Sequence, residues 1–444
     1  MRGQLFKIWD RIRSSFWFLP TVMAVVAVAL AFVSIAVDKP MTEWLSLKLG
    51  WTFTGGADGV SAVMGVVAGS MITIAGVVFS MTLVTLSLAS AQLGPRLLRN
   101  FMRDSTTQVV LGTFIATFLY CLIVLRTIRR GGEVTFVPHL SVSLGVLLAV
   151  VSVGVFIYFI HHVSVSIQAN EIAARIGAEL NEGINRLFPE QIGRGASEIP
   201  VGPPDPGFLE VFDREARPIG AYADGYLQFI DAQALFEIAE EEDLIVRLEQ
   251  RPGNYVVASC PLVLIWPGSR VTNRLTERLH PLFVLAHQRT SGQDLEFGVN
   301  QLVEIAVRAL SPGTNDPFTA ITCVDRLGSA LCRLASRDMP SPYRHDCQNQ
   351  LRVIASADTF PAFVNAAFNQ IRQYGRSSAA VTIRLLETIA VVVKFTHRPE
   401  DRATLLRHAE MITRGAAESL HEDQDRRSVE ERCQAVRMLC SEPA

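Results

Sequence analysis

The chain has 444 residues, of which 49% are hydrophobic and 19% charged, with a formal net charge of −2 and a mean hydropathy of +0.27. It is too apolar for an ordinary soluble protein and too long and charged to lie wholly in a bilayer, so a membrane part and a soluble part are expected. Through Leu187 there are fourteen Lys plus Arg against nine Asp plus Glu, a net of +5, and beyond it twenty-seven against thirty-four, a net of −7; the acidic remainder lacks the basic footprint that phosphate backbones require, which argues against nucleic acid as a partner.

The N-terminus carries Arg2, Lys7, Arg11 and Arg13 ahead of an apolar run from Phe16 to Val37. At about 22 residues this run exceeds the 7 to 15 typical of a cleaved leader, so it reads as a retained anchor with its basic flank in the cytoplasm. A loop from Asp38 to Gly59 follows and is expected to be external. The next run, Val60 to Ala91, holds no charged residue. As a helix it would be about 48 Å long against a hydrocarbon core of roughly 30 Å, so it must tilt, overhang or contain a re-entrant half. Gly65, Gly69 and Gly76, with Ser61 and Ala68, give small-residue spacings that let another helix approach closely. Thr73, Ser80 and Ser87 fall at intervals of seven and share one face, with Ser70 near the same stripe. These four hydroxyls are candidates to line a narrow uncharged path. The plainer alternative is that they bond to their own i−4 carbonyls and the small residues permit packing.

Arg96, Arg99 and Arg103 follow in a short loop after Gly94-Pro95, as the positive-inside rule asks of a cytoplasmic segment. Arg96 and Arg99, with His161 and His162 at the end of the fourth span, are candidates for a cytosolic mouth. The histidine pair would also serve as a simple interfacial anchor. A third span runs from about Thr106 to Leu125 and a fourth from Leu140 to Ile160, which places both termini inside. The loop with Arg126, Arg129 and Arg130 opposes that topology and is outweighed by the two basic flanks and the large C-terminal tail. No Asp, Glu, Lys or Arg lies within the four expected spans, which disfavours proton-coupled transport. No proline occurs from Leu140 to Phe188, and Ile172, Ile176, Leu180, Ile184 and Leu187 recur at helical spacing. One continuous helix of about 70 Å is therefore expected, with residues 163–192 forming a stalk.

A Gly/Pro-rich linker from Gly193 to Gly207 leads into a small α+β module over 193–270. Strands are expected at Phe208–Phe212 and Pro218–Ile230, and a helix at Asp231–Glu242. A hairpin of Leu244–Glu249 and Tyr255–Ile265 would be turned by Arg251-Pro-Gly-Asn254. Residues 271–444 read as almost wholly helical. Seven scattered cysteines without a C-x-x-C pair point to free thiols in a reducing compartment. No spacing implies a metal or a cofactor, and no P-loop, G-x-S-x-G, H-E-x-x-H or glycine-rich dinucleotide turn is present, so no catalytic residue is assigned and an enzyme is disfavoured.

The densest polar constellation is Arg289-Thr-Ser-Gly-Gln-Asp294-Leu-Glu-Phe-Gly298, followed by Ala309-Leu-Ser-Pro-Gly-Thr-Asn-Asp-Pro-Phe-Thr-Ala320. Asp316 before Pro317 reads as an N-cap with proline at the first helical position, which makes a sharp corner between two helices. Arg289, Asp294, Asn315 and Asp316 could instead form a ligand pocket, or with Asp325 a cation site. Together with Ser70–Ser80 and Ser90–Arg99, these stretches resemble the bacterial predicted membrane-protein family called domain of unknown function 2254, over nearly the whole chain. The resemblance implies an inner-membrane protein with four spans and a cytosolic C-terminal region, and implies no particular activity.

The fold expected is an α-helical membrane protein with four transmembrane helices (1–162), the stalk, and a mostly helical α+β cytosolic C-terminal domain. Two functions fit: an oligomeric channel-like protein with a cytosolic regulatory domain, and a membrane-anchored sensor or scaffold that binds a small ligand or protein partner. The expected partners are the lipid bilayer, further copies of the chain, and a small ligand or ion.

Overall fold

The computed structural model describes residues 17–45, 57–93, 105–128, 137–166, 168–188, 204–355 and 358–442, which fall into two compact units divided between residues 168 and 169. The first unit holds α1 (Phe18–Leu45), α2 (Ala57–Leu93), α3 (Ser105–Thr127) and α4 (His139–Ser166). All four are long and apolar enough to cross a membrane. The first candidate span reaches Asp38, and α1 continues through Pro40 to Leu45, so Asp38 belongs to the helix rather than to a loop. Ionisable residues therefore do lie at span ends: Asp38 closes the first, Asp58 is in the first turn of the second, and Arg126 is in the last turn of the third. The long α2 is a single helix of 37 residues without a re-entrant break.

The interior of this unit is built around α3, which packs against α1, α2 and α4. Tyr120, Cys121 and Val124 of α3 meet Ala31, Met64 and Val142 in one cluster, and Phe114 meets Met71, Val78 and Phe159 in another. Close approach explains two glycines here: a Cβ at Gly112 would lie 2.5 Å from Met23 Sδ, and one at Gly145 would lie 3.1 Å from Met64 Cε.

The expected stalk is not one helix with the fourth span. α4 ends at Ser166, Gln168 is not helical, and α5 (Ala169–Leu187) begins the second unit. The physical reason is the apolar stripe itself. Ile172, Ile176, Leu180 and Ile184 are buried because α5 packs against α9 (Leu295–Ala309) and α10 (Pro317–Ala335). Gly183 and Gly177 let these helices close, since added Cβ atoms would stand 2.5 Å from Leu295 Cδ2 and 3.2 Å from Arg326 Cδ. A stripe that reads as an exposed stalk is a core face.

The second unit continues with α6 (Pro206–Glu215), β1 (Arg217–Gly220), β2 (Gly225–Ile230), α7 (Ala232–Glu241), β3 (Ile245–Leu248), β4 (Tyr255–Val256), β5 (Pro261–Trp266), α8 (Asn273–Leu279) and β6 (Phe283–Ala286). Beyond α10 come β7 (Tyr343–His345), β8 (Leu351–Ala355), α11 (Phe360–Tyr374), α12 (Ala379–Val393), α13 (Pro399–Ser419) and α14 (Asp423–Ser441). Phe208–Phe212 is helical and not a strand, because the Asp205 side chain accepts from Gly207 N–H and Pro206 opens the helix.

Two sheets form, ordered β1-β5-β3-β8-β7 and β4-β2-β6. The expected hairpin is split: β3 pairs antiparallel with β5, while Tyr255–Val256 pairs with β2 in the other sheet. Three strands from the segment expected to be wholly helical complete these sheets, β6 beside β2 and β8 parallel to β3 with β7 outside it. The α+β part therefore does not end at residue 270. Its core joins Leu227, Leu244, Val246, Val263 and Ile265 to Phe283 and Val353. The helical part packs α9 on α10 and α11, α10 on α12, and α12 on α13 and α14.

Candidate functional site

The stretch from Arg289 to Gly298 joins the sheets to the helices, residue by residue. Asp294 caps α9 by accepting from Phe297 N–H at 3.0 Å, and the Arg289 guanidinium grips the same carboxylate through Nε at 2.7 Å and Nη2 at 2.9 Å. Asp294 is only 4% exposed. Burial pushes its carboxyl up, against the pull of Arg289 and of the Phe297 N–H. Gln293 brackets Ile230, accepting from its N–H at 2.9 Å and donating to its carbonyl at 3.0 Å, which ties the loop to β2. Gly298 leaves room for Leu180 of α5, 3.3 Å from where a Cβ would stand.

Glu296 accepts from Arg251 Nη2 at 3.2 Å, and Arg251 also binds Asp358 through Nη1. Burial pushes the Asp358 carboxyl up, Arg251 pulls it back, and the nearby Asp294 and Glu296 carboxylates add to the push. The turn that carries Arg251 lies directly on Asp294. At Gly253, φ is +97°, and an added Cβ would stand 2.4 Å from Asp294 Oδ2. Three carboxylates thus face two guanidiniums where the 251–254 turn, α9 and the approach to α11 meet. The void beside Asp294, Leu295 and Ser291 is about 10 Å³, room for about one water and no substrate. This constellation is chemically a clasp.

The structure does not bring the whole sequence-derived group together. Arg289 and Asp294 lie at the start of α9, whereas Asn315 and Asp316 lie beyond its other end, about 22 Å away along a helix of 15 residues. Asp316 caps α10, accepting from Thr319 N–H at 3.1 Å and from the Thr319 hydroxyl at 2.5 Å. The Thr319 hydroxyl chiefly holds its carboxyl below the usual range. Asn315 takes a left-handed φ of +47°, a conformation asparagine tolerates better than most residues. Asp325 is bound bidentately by Arg384 of α12 at 2.6 and 3.0 Å. Among the described residues no group of three His, Cys, Asp or Glu side chains is placed to hold a metal ion.

In the first unit, Ser70, Thr73, Ser80 and Ser87 all lie on exposed positions of α2, outside the bundle interior. Thr73 Oγ1 donates to Gly69 O at 2.8 Å. Gly65, Gly69 and Gly76 are exposed too, and nothing lies within 4 Å of a Cβ added at any of them. Arg96 and Arg99 lie outside the described residues. His161 is exposed near the end of α4, and His162 stacks on Tyr158 with ring centroids 6.0 Å apart.

One polar chain is absent from the sequence reading. Asp38 of α1 accepts from Leu140 N–H at 2.9 Å and from Ser141 N–H at 2.8 Å, so it caps α4 from another helix. The Ser141 hydroxyl also donates to it. Tyr120 of α3 donates to Ser141 O at 3.0 Å and shares a hydrogen bond with Ser34 of α1 at 3.0 Å. The available signals were an aspartate at the very end of an apolar run and a lone tyrosine inside the third.

Comparison with known proteins agrees with this architecture. The uncharacterized proteins Mb1321c of Mycobacterium bovis and Rv1290c of Mycobacterium tuberculosis are each 33% identical to the chain over 435 residues, covering 95% of it and 80% of the relative. No solved structure matches the chain. The sequence pattern of the predicted membrane proteins called DUF2254, for domain of unknown function 2254, matches residues 13–391. With four apolar helices long enough to span a bilayer and a match over most of its length, the chain belongs to this DUF2254 family of predicted membrane proteins.

Proposed function

We propose that the protein is an oligomeric, channel-like protein of the bacterial inner membrane, with both termini in the cytoplasm and the second unit as its regulatory domain. The outer face of α2 carries this reading. Ala62, Gly65, Gly69, Thr73, Gly76, Ser80 and Ser87 are all exposed and fall within one narrow stripe along the helix. Lipid tails gain nothing from glycine and hydroxyl groups, whereas a neighbouring helix gains close backbone approach. Copies of α2 around an axis would turn this stripe inward and create an uncharged path lined by hydroxyls.

Single cysteines at 73, 80 and 87, together with conductance of reconstituted protein, test the reading. A channel gives thiol reactivity from the aqueous phase at all three positions and a current that the modification blocks. Uniform protection with no conductance overturns it. The second reading, a membrane-anchored sensor or scaffold, is favoured by the Thr73 hydroxyl being satisfied within its own helix. Disulfide cross-linking between Gly69→Cys copies without any conductance would support that one.

A further inference from the structure

A cleft of about 670 Å³ opens in the second unit between the C-terminal end of α11 and the C-terminal half of α13. Arg372, Tyr374, Arg376, Arg414 and Glu418 line it, giving three guanidiniums against one carboxylate. The positive charges are not neutralised locally. Among the described residues neither Arg376 nor Arg414 has a hydrogen-bond or ion-pair partner, and Glu418, one turn beyond Arg414, forms no ion pair with it. Arg372 makes one long bond, to Asn369 Oδ1 at 3.4 Å, and its Nε is buried without an acceptor. The Arg376 stem lies near Gly415, its Cβ 3.8 Å from where a Cβ would stand there.

From this geometry we propose that the cleft binds a phosphorylated small molecule of the nucleotide class. Guanidinium groups match phosphate oxygens in planar, bidentate fashion, and several converging on one cleft make an anion site. The volume lies within the range of small-molecule sites, about 300 to 1,000 Å³. Tyr374, 54% exposed at the rim, offers a ring on which a base can stack. The uncompensated charge is felt deeper in the fold: His408 on α13 is pushed down to about 4 by burial first and then by Arg372 and Arg407. The assignment is independent of how α2 is used.

Equilibrium binding of ADP, AMP and pyrophosphate to the full-length protein in detergent tests it. Saturable binding is expected, weakened about tenfold or more by Arg376→Ala and by Arg414→Ala, since each removes charge-assisted bonds. Tyr374→Ala should weaken ADP but not pyrophosphate, and Arg274→Ala, exposed on α8, should change neither. Both arginines of the first pair are exposed and unpartnered, so the variants should fold, as the circular dichroism of each will show. Absence of saturable binding, or binding that survives both arginine variants, overturns the site. A short-chain phosphatidylinositol phosphate that binds more tightly than ADP and is lost in the same variants overturns the nucleotide class in favour of a lipid headgroup.

Discussion

His408 sits in the helical core fully buried, with Nε2 donating to Asn365 Oδ1 at 2.9 Å and Nδ1 without a partner. Burial, and then Arg372 and Arg407, push it down from 6.5 to about 4. An unfolded histidine takes its proton near 6.5, so between these values acid favours the unfolded chain. The stability is fully present above about pH 6.5 and is lost as the pH falls to about 4, by about 2 to 3 kcal/mol. Denaturant unfolding at several pH values should show this slope, and His408→Gln, which cannot titrate, should flatten it. Asp316 gives a second prediction at this scale. Removing its cap bonds by Asp316→Ala should cost about 0.5 to 2 kcal/mol, and Asp316→Ser should recover much of that. Equal loss of function in both variants at unchanged stability would instead point to a ligand at this corner.

Among the elements, α4 depends on another helix for its start. Asp38 supplies acceptors to two N–H groups of its first turn and to the Ser141 hydroxyl, and Tyr120 and Ser34 extend the chain across α3 and α1. Asp38 and Ser141 are buried, so breaking these bonds leaves buried donors unsatisfied. Asp38→Ala should destabilise the first unit by about 1 to 3 kcal/mol, with Asp38→Asn intermediate. Unfolding in mixed micelles with increasing SDS measures this, and equal midpoints for all three proteins would contradict the cap. The clasp at Arg289–Gly298 is the counterpart in the second unit, where an N-cap, an ion pair and a backbone bracket all come from one loop.

For the molecule as a whole, the basic N-terminal flank, the arginines at 96, 99 and 103 and the four spans predict cytoplasmic termini. Single cysteines at Thr54 and Ser197, labelled in whole cells with an impermeant thiol reagent, should react at 54 and stay protected at 197. The reverse pattern would mean an inverted topology.

What the sequence determined by itself was everything that follows from local apolar pattern and local capping. The four spans, the largely helical character of residues 271–444, and the Asp316 cap are set by periodicity, charge-free length and cap chemistry along one stretch of chain. Tertiary structure alone decided which face meets which. The stripe of α5 reads the same whether it faces solvent in a stalk or packs on α9 and α10, and only the partner helices settle it. Strands β6, β7 and β8 are three to five residues long, too short for a period to register, and they exist because distant edges of two sheets accept them. The same holds for Asp38 and Ser141, about a hundred residues apart, and for Arg372, Arg376 and Arg414, whose charges converge only once α11 and α13 lie side by side.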